Sequence, residues 1–353
     1  MDTGKQGPPR VGLVCRFPPE PCGIAATYIG LANELKKKLQ LTTIGTLGSD
    51  ADYKVDFKAW NLKERIRDIV DKEHLDLVHF QYIAPFYSKA LNLNFIRALT
   101  LSVPTVVTLH EVQMFHEKET LKTKLLRIIE RQSVRKASAI ITHTPKQAEF
   151  INNQYATNKA RYILYGFDSR EVKRKPGKRV LFFGILSEGK GVEYAIEAMK
   201  VLPDCTLSVV GATNSPATKE YGKRIKALAL KHPNVTVVFK DWIGPEERDS
   251  WYTKSDVLVL PYLWAPYQSA VMTDAGRYGI PVVVTNVGAV WEMAKMFKCG
   301  EIVEPANAKA IAEAVKNVLG NRESYHNGIE AYRAAASWKK VAEDHRKVYD
   351  EVR

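Results

Sequence analysis

The chain has 353 residues, about twice the length of an average domain, so we expect two globular units with separate cores. Hydrophobic residues make up 45% of the chain and charged residues 26%, and no window has the roughly 20 apolar residues of a membrane-spanning helix. The formal net charge of +13 favours anionic partners, whether nucleic acid, an anionic membrane surface or phosphorylated small molecules. No RNP-like or Cys2His2-like pattern supports nucleic-acid binding.

The N-terminal segment MDTGKQGPPRVGLVC lacks the apolar stretch of a secretory signal, so we expect a cytoplasmic protein. Its four cysteines, Cys15, Cys22, Cys205 and Cys299, form no CxxC and no Cys/His cluster with zinc spacing. This argues against a disulfide framework and against a structural metal. We expect reduced thiols.

Short β-branched segments alternate with amphipathic ones along the whole chain. RVGLVC precedes the helical pattern ATYIGLANELKKKL, and LDLVHF, PTVVTLH and ASAIITH follow. After a basic segment at 169–179, the alternation restarts with VLFFG, CTLSVVG, VTVVFK, DVLVLPY and PVVVTN. The pattern predicts two doubly wound α/β domains with parallel sheets, 1–168 and 180–336, joined by a linker at 169–179. In such sheets ligands bind at the carboxyl ends of the strands.

The loop after VLFF matches the P-loop spacing GxxxxGK from Gly184 to Lys190, but Gly191 replaces the Ser or Thr that would hold magnesium. A glycine-rich loop, a helix N-terminus and Lys190 can together bind a phosphate. A turn with a solvated lysine explains the same residues equally well. A P-loop nucleotide hydrolase therefore stays open as an alternative.

A second candidate lies between DVLVLPY and PVVVTN, where a helix is predicted to start near Ser269. The backbone amides of Gln268, Ser269, Ala270 and Val271 could hold a diphosphate without a metal. Asp274 falls in the next turn, where its carboxylate could accept hydrogen bonds from a ribose diol. The simpler interpretation is that Asp274 complements the helix dipole.

Several segments resemble motifs of the GT-B glycosyltransferases, in particular of the glycosyltransferase 4 group. FGILSEGKG is similar to that group's G-R-L-x-x-x-K-G, and AGRYGIPVVVTNVGAVWE to its E-A-x-A-x-G-x-P-V-V-x-T-x-x-G-G-x-x-E. In the first half, CRFPPEPCGIAATYIGLANEL is similar to P-x-x-G-G-I-x-x-x-x-x-L-A-x-x-L, LDLVHFQY to D-V-V-H-x-Q, and PTVVTLHE to V-x-T-x-H-D. The closing SWKKVAEDHRKVYDEV is similar to the group's final helix, and the shared order covers nearly the whole chain.

The resemblance implies two Rossmann-like domains that face a cleft, with the final helix, 337–353, packing back on the first domain. In the second domain it implies that Lys190, in the loop that starts at Gly184, binds the donor diphosphate, and that Asp274 binds the ribose. Trp242, Ile243 and Gly244 would lie beside the base.

In the first domain, the resemblance implies that His110 reaches the donor sugar near the anomeric centre. It also implies that Gly23 faces the diphosphate and the acceptor. The implied reaction transfers a hexose-type sugar from a nucleoside diphosphate sugar to an acceptor hydroxyl, with retention and without a metal or other cofactor. His110 and Lys190 would be the catalytic residues.

Three departures from the group's pattern stand out. Ile185 occupies the position of its diphosphate-binding Arg, and Pro266 that of the first Glu of its E-x7-E pair. The segment PYQSAV is closer to a Q-S-G-V variant, which makes Gln268 a candidate for the sugar hydroxyls. Tyr165 stands within Leu-Tyr-Gly where the group has P-H-G. A catalytically weak sugar-nucleotide or glycan-binding protein is therefore a further alternative.

Other polar patterns carry less weight. Asp50 and Asp52 form a DxD within turn-forming residues, so a solvated turn is favoured over a metal site. His79 and His143 close predicted strands and are interpreted as buried or capping residues.

A helix is predicted at 118–136. It has a cationic face, with Leu121, Leu125 and Ile128 nearer the packed side. The cations of this face are Lys124, Arg127, Arg131 and Arg135. Most such helices are merely solvated. Our hypothesis is that this one brings the protein to the inner membrane surface as a peripheral protein, where it would meet a lipid-linked or polysaccharide acceptor.

Overall fold

The computed structural model describes residues 7–20, 23–87, 92–112, 120–265 and 269–353. It divides into two compact units, one formed by Met1–Gly166 with Ala336–Arg353 and the other by Phe167–Ala335. Each unit is an α/β structure around its own parallel sheet. The predicted fold class is thereby confirmed, because both sheets are doubly wound and every described strand pair is parallel.

The first unit has a seven-stranded sheet in the order β3-β2-β1-β4-β5-β6-β7. Its strands are β1 (Arg10–Val14), β2 (Gln40–Gly45), β3 (Tyr53–Lys54), β4 (Leu77–Tyr82), β5 (Thr105–Leu109), β6 (Ala139–Thr142) and β7 (Ala160–Tyr162). Its helices are α1 (Gly23–Lys36), α2 (Leu62–Glu73), α3 (Leu93–Ala98), α4 (Leu121–Lys136), α5 (Pro145–Gln154) and, from the end of the chain, α13 (Trp338–Val352). Strands β1, β4, β5 and β6 are almost entirely buried, as expected where helices cover both faces.

The second unit has a six-stranded sheet in the order β10-β9-β8-β11-β12-β13. Its strands are β8 (Arg179–Ile185), β9 (Thr206–Ala212), β10 (Val235–Lys240), β11 (Val257–Leu260), β12 (Val282–Thr285) and β13 (Gly300–Val303). Its helices are α6 (Val192–Ala198), α7 (Pro216–Ala229), α8 (Pro245–Lys254), α9 (Ala270–Tyr278), α10 (Val290–Phe297), α11 (Ala308–Gly320) and α12 (Arg322–Ala335). The strand order reverses between β8 and β11, which makes that point the expected ligand crevice.

The segment 169–179, which the sequence predicts to be a linker, packs against the second unit from Arg170 onward. The amide of Arg170 donates to the carbonyl of Arg277 at 2.8 Å, and the guanidinium of Arg174 donates to the carbonyl of Tyr278 at 2.6 Å. Asp256 accepts hydrogen bonds from the amide and the guanidinium of Arg179 at 3.0 and 2.7 Å. These bonds hold the segment against the sheet up to the start of β8.

The C-terminal helix α13 belongs to the first unit. The Trp338 ring lies against Gly30 of α1 and Gly166, at both of which a Cβ would overlap the ring. The Tyr349 hydroxyl reaches His79 of β4, 2.8 Å from its Nδ1. Glycine is therefore required at Gly30 and Gly166, because a Cβ at either position would prevent the Trp338 ring from packing there.

Helix α4 begins at Leu121, after Thr120, whose side chain accepts a hydrogen bond from the Thr123 amide. Residues 118 and 119 of the predicted helix lie outside the described residues. The prediction for its apolar side is wrong at Leu121 and Ile128, whose side chains are 75% and 55% exposed. The buried side is formed by Ile129, Ser133 and Val134 instead. At 100° per residue, Leu121 and Ile128 fall beside the cations.

Two minor predictions can be compared with the structure. Asp52 accepts hydrogen bonds from the amide and hydroxyl of Thr43 at 2.8 and 2.7 Å, so it links the segment before β3 to β2.

The described residues contain no group of His, Cys, Asp and Glu arranged to hold a metal. Cys15, Cys205 and Cys299 are buried and form no disulfide within the described residues, whereas Cys22 lies outside those residues. None of the described helices is both long and apolar enough to cross a bilayer.

Candidate active site

A cavity of about 530 Å³ lies at the carboxyl edge of the second unit's sheet. The loops that follow β8, β10 and β11 form its walls together with the starts of α8 and α9. Eight residues predicted from the sequence line it: Gly184, Lys190, Trp242, Ile243, Ser269, Ala270, Val271 and Asp274. Gly244 caps α8 next to the cavity, and Gln268 lies outside the described residues. The structure thus brings eight of the predicted donor residues together in one cavity.

One wall is the loop after β8, which ends in a single 3-10 turn, Glu188–Lys190. Gly191 follows with φ 57° and leads into α6, and a Cβ there would overlap the carbonyl of Pro261. The carbonyl of Gly189 accepts hydrogen bonds from the amides of Leu263 and Trp264 at 2.9 and 3.2 Å. The loop is therefore fixed to the segment after β11.

Lys190 enters the cavity as a cation without an acidic partner among the described residues. Its Nζ lies 3.7 Å from the centroid of the Tyr262 ring, so the ring face holds the ammonium group in place. Tyr262 and Ser269 are also linked, with their hydroxyl oxygens 3.3 Å apart. The arrangement places one positive charge near the start of α9.

The start of α9 offers backbone donors to the cavity. Ser269, its N-cap residue, makes no side-chain capping hydrogen bond within the described residues, and the amide of Met272 donates to the Ser269 carbonyl at 2.9 Å. Ala270 and Val271, which precede Met272, line the cavity. These amides and the helix dipole favour an anion. Lys190 and the helix start can therefore act on the same negatively charged group.

Asp274 lies beyond the first turn of α9 and faces the cavity, so the dipole interpretation does not account for it. Its side chain is 13% exposed, and the nearest ion-pair distance in the described residues is 3.9 Å, from the Arg277 Nε. Burial raises the pKa of this carboxyl group, while the charges of Arg248 and Arg277 oppose the shift. A buried carboxylate with so few bonds can accept hydrogen bonds from a ligand.

Arg248, Tyr262 and Trp264, which are not among the residues predicted from the sequence, also line the cavity. The aromatic pair directly follows a buried strand, a place where ligand-binding side chains are expected, so a signal existed. Arg248 stands among charged neighbours in EERD, and no helical periodicity shows which of them points inward.

In the first unit, His110 follows β5 and is 6% exposed. Its Nε2 lies 3.0 Å from Oε1 of Gln81, and its Nδ1 contacts the Tyr165 hydroxyl and lies 3.3 Å from Nε2 of His143. Both ring nitrogens are therefore engaged within the unit. Gly23, the other candidate of this unit, is the first residue of α1.

His110 belongs to a buried polar network. His79 Nε2 lies 2.7 Å from the Thr108 hydroxyl and 3.1 Å from the Gln81 amide nitrogen. His143 Nδ1 donates to the Ile163 carbonyl at 3.0 Å. The interpretation of His79 and His143 as buried, hydrogen-bonded residues is confirmed. Tyr165, which departs from the P-H-G pattern, stacks on His143 with 3.9 Å between ring centroids.

Two family models match most of the chain. Residues 167–335 match glycosyl transferases group 1, and residues 31–171 match glycosyltransferase family 4. An uncharacterized glycosyltransferase of Methanocaldococcus jannaschii is 32% identical over 177 residues, 49% of this chain and 44% of its own length. Spore coat protein SA of Bacillus subtilis is 29% identical over 188 residues, 50% of this chain and 49% of its own. The chain thus spans less than half of either relative.

Two solved structures share the fold over nearly the full length. A glycosyltransferase from Rickettsia africae has a TM-score of 0.73 at 17% identity and covers 98% of this chain and 99% of its own. HepE from Anabaena, in complex with UDP-glucose, has a TM-score of 0.74 at 16% identity and covers 97% and 99%. At such identities the likeness establishes the GT-B fold alone.

The buried histidines predict a pH-dependent stability. Burial lowers the pKa of His143 and of His345 from 6.5 to about 4, and lowers those of His79 and His110 as well. Between pH 6.5 and 4 the unfolded chain binds more protons than the folded one. The free energy of unfolding should therefore be highest above pH 6.5 and fall as the pH is lowered through this window.

Urea unfolding between pH 7.5 and 5 would measure how steeply the free energy of unfolding depends on pH. The variant His345→Gln should reduce this dependence by the equivalent of about one proton. The variant His326→Gln, which changes an exposed histidine, should not reduce it. A stability that stays constant over this range would contradict the prediction.

Proposed function

Because the chain belongs to the group 1 glycosyltransferases with the GT-B fold, we propose that it transfers a sugar from a nucleoside diphosphate sugar to an acceptor hydroxyl. The observation that carries the proposal is the convergence of Lys190, the start of α9 and Asp274 on one cavity of the second unit. HepE, solved with UDP and with UDP-glucose, supports a donor of this class.

The diphosphate would lie between Lys190 and the first amides of α9. When the bond to the sugar breaks, negative charge builds on the leaving diphosphate. Preorganised donors aimed at that charge lower the barrier because they need no reorganisation during the reaction. The ammonium group rests on the face of Tyr262, so a phosphate can draw it away without breaking a salt bridge.

Asp274 would accept hydrogen bonds from the ribose diol, and Trp242 and Ile243 would lie beside the base. Both side chains line the same cavity as Asp274. The proposed mechanism retains the anomeric configuration, as the family 4 resemblance implies, and needs no metal, since the cation and the amides supply the charge stabilisation.

His110 would orient the transferred sugar from the carboxyl edge of the first unit's sheet. Gln81, Tyr165 and His143 hold its ring in one orientation, which is the support that a positioned group requires. The acceptor would be lipid-linked or a polysaccharide.

A second candidate, a weak sugar-nucleotide or glycan-binding protein, is supported by one observation. Ile185, which stands where the resemblance places an Arg, lines the cavity and is 54% exposed. The site therefore lacks one of the two cations of the related pattern.

The Lys190→Ala variant tests the diphosphate site. Loss of a charge-assisted hydrogen bond should weaken UDP, GDP or ADP binding in EDTA by about 10- to 100-fold. It should also slow donor turnover by about 100-fold or more. Thermal shift and calorimetry measure the binding, and Lys223→Ala, on the exposed side of α7, is the control. Near-normal binding by Lys190→Ala, or a wild-type shift only with ATP and magnesium, would contradict the proposal.

The Ile185→Arg variant tests the missing cation. An arginine at this exposed position should tighten diphosphate binding by about 10-fold while leaving uridine and guanosine unaffected, because the nucleosides carry no phosphate. Ile185→Gln removes the apolar side chain without adding charge and should not tighten binding. Equal tightening of nucleosides and diphosphates would show that this wall does not face the diphosphate.

We also propose that α4 brings the protein to an anionic membrane surface. Its solvent side carries Lys124, Arg127, Arg131 and Arg135, all exposed. The exposed side chains of Leu121 and Ile128 lie beside this row. A cationic row next to an apolar one suits a helix that lies in the plane of a bilayer, where lysine and arginine meet lipid headgroups and leucine and isoleucine enter the acyl boundary.

Co-sedimentation with vesicles tests this surface. Wild-type protein should bind vesicles rich in phosphatidylglycerol and not phosphatidylcholine vesicles, and reversal of the four α4 charges should abolish binding. Leu121→Gln with Ile128→Gln should weaken it. The control reverses four exposed cations of α7: Lys219, Lys223, Arg224 and Lys226. Unchanged sedimentation of the α4 variant would exclude the surface.

A further inference from the structure

The cavity of the second unit contains a guanidinium group that the diphosphate does not account for. Arg248 comes from α8, one helical turn before Tyr252, so the two side chains share a face of the helix. Arg248 lines the same cavity as Asp274, and Tyr252 interacts with Asp274 from below the lining. Lys190 is held elsewhere, over the ring of Tyr262.

Arg248 is short of partners. Its Nε is buried and makes no hydrogen bond within the described residues, and its nearest carboxylate contact there is to Asp249 at 3.8 Å. Asp249 is itself engaged by the Tyr278 hydroxyl and by Arg170. The Tyr252 hydroxyl is also buried, beside the carboxyl group of Asp274. Unpaired buried donors are costly, so this end of the cavity suits a ligand with acceptor oxygens.

The charge of Arg248 is retained although its Nε is buried; the side chain as a whole is 31% exposed. Burial alone would lower its pKa, but the carboxylate of Asp274 and its neighbours raise the pKa overall. The side chain is therefore an obligate donor, since a guanidinium has five N–H groups and no acceptor.

We propose that Arg248 selects the donor by its base, donating hydrogen bonds to a ring carbonyl oxygen, so that the cavity takes uracil, thymine or guanine nucleotides in preference to adenine nucleotides. Uracil and thymine carry ring carbonyls, and guanine offers O6 and N7, a pair that arginine binds in a bidentate manner. Adenine keeps N7 as an acceptor but presents an amino group in place of the carbonyl, so at that position the guanidinium would face another donor. This inference rests on the proposed donor role of the cavity.

Calorimetry with UDP, GDP and ADP in EDTA tests the inference. Wild-type protein should bind UDP or GDP at least about 10-fold more tightly than ADP. Arg248→Leu should reduce this preference to about 3-fold or less, by weakening the carbonyl-bearing ligand while leaving ADP nearly unchanged. The control Lys254→Leu removes one positive charge from the exposed end of the same helix and should preserve the preference.

Arg248→Lys keeps the charge beside Asp274 but loses the planar fork, so it tests recognition even if the leucine variant folds poorly. The preference of Arg248→Lys for UDP or GDP over ADP should lie between those of the wild type and Arg248→Leu. Tightest wild-type binding of ADP, equal weakening of all three ligands by both variants, or an unchanged preference in both would overturn the inference. Any of those binding patterns would overturn the role of Arg248 but not the proposed donor site. A folded wild-type protein that binds none of the three diphosphates would overturn both.

Discussion

The carbonyl oxygen of Gly189 accepts two backbone hydrogen bonds, from Leu263 at 2.9 Å and Trp264 at 3.2 Å. These bonds join the loop after β8 to the segment after β11, the two strands between which the order of the sheet reverses. At such a point the connections that follow neighbouring strands lead to opposite faces of the sheet, and a crevice opens between their loops. The two bonds fix the crevice as a cavity, with Lys190 lying against the ring of Tyr262 in its lining.

The polar groups around the cavity are distributed unevenly. One set consists of Lys190 and the start of α9, which offer positive charge and backbone amides. The other set consists of Asp274 and Arg248, which are opposite in charge and whose side chains are 13% and 31% exposed. A ligand that carries phosphates at one end and hydroxyls and carbonyls at the other satisfies both sets. In the proposed donor site, this asymmetry would orient the bound nucleotide.

The sequence predicts those parts of the fold and site that depend on local patterns. Alternating β-branched and amphipathic segments predict both sheets, and the loop at Gly184 and the helix start at Ser269 follow from turn and capping chemistry. Arg248 could not be found in this way, because its direction depends on how α8 packs against α9. The exposure of Leu121 and Ile128 was missed for a related reason: the buried side of α4 is decided by its tertiary neighbours, and apolar residues do not always take it.

The first unit is built from two separated stretches of chain, since α13 returns to it after the whole second unit has been formed. Trp338 lies against Gly30 and Gly166, and Tyr349 reaches His79 in the middle of the first sheet. On the ribosome, the second unit is complete in one continuous stretch, whereas the first unit must wait until α13 has been synthesised after it. The buried histidines of the first unit therefore lack their final neighbours until the whole second unit has been made.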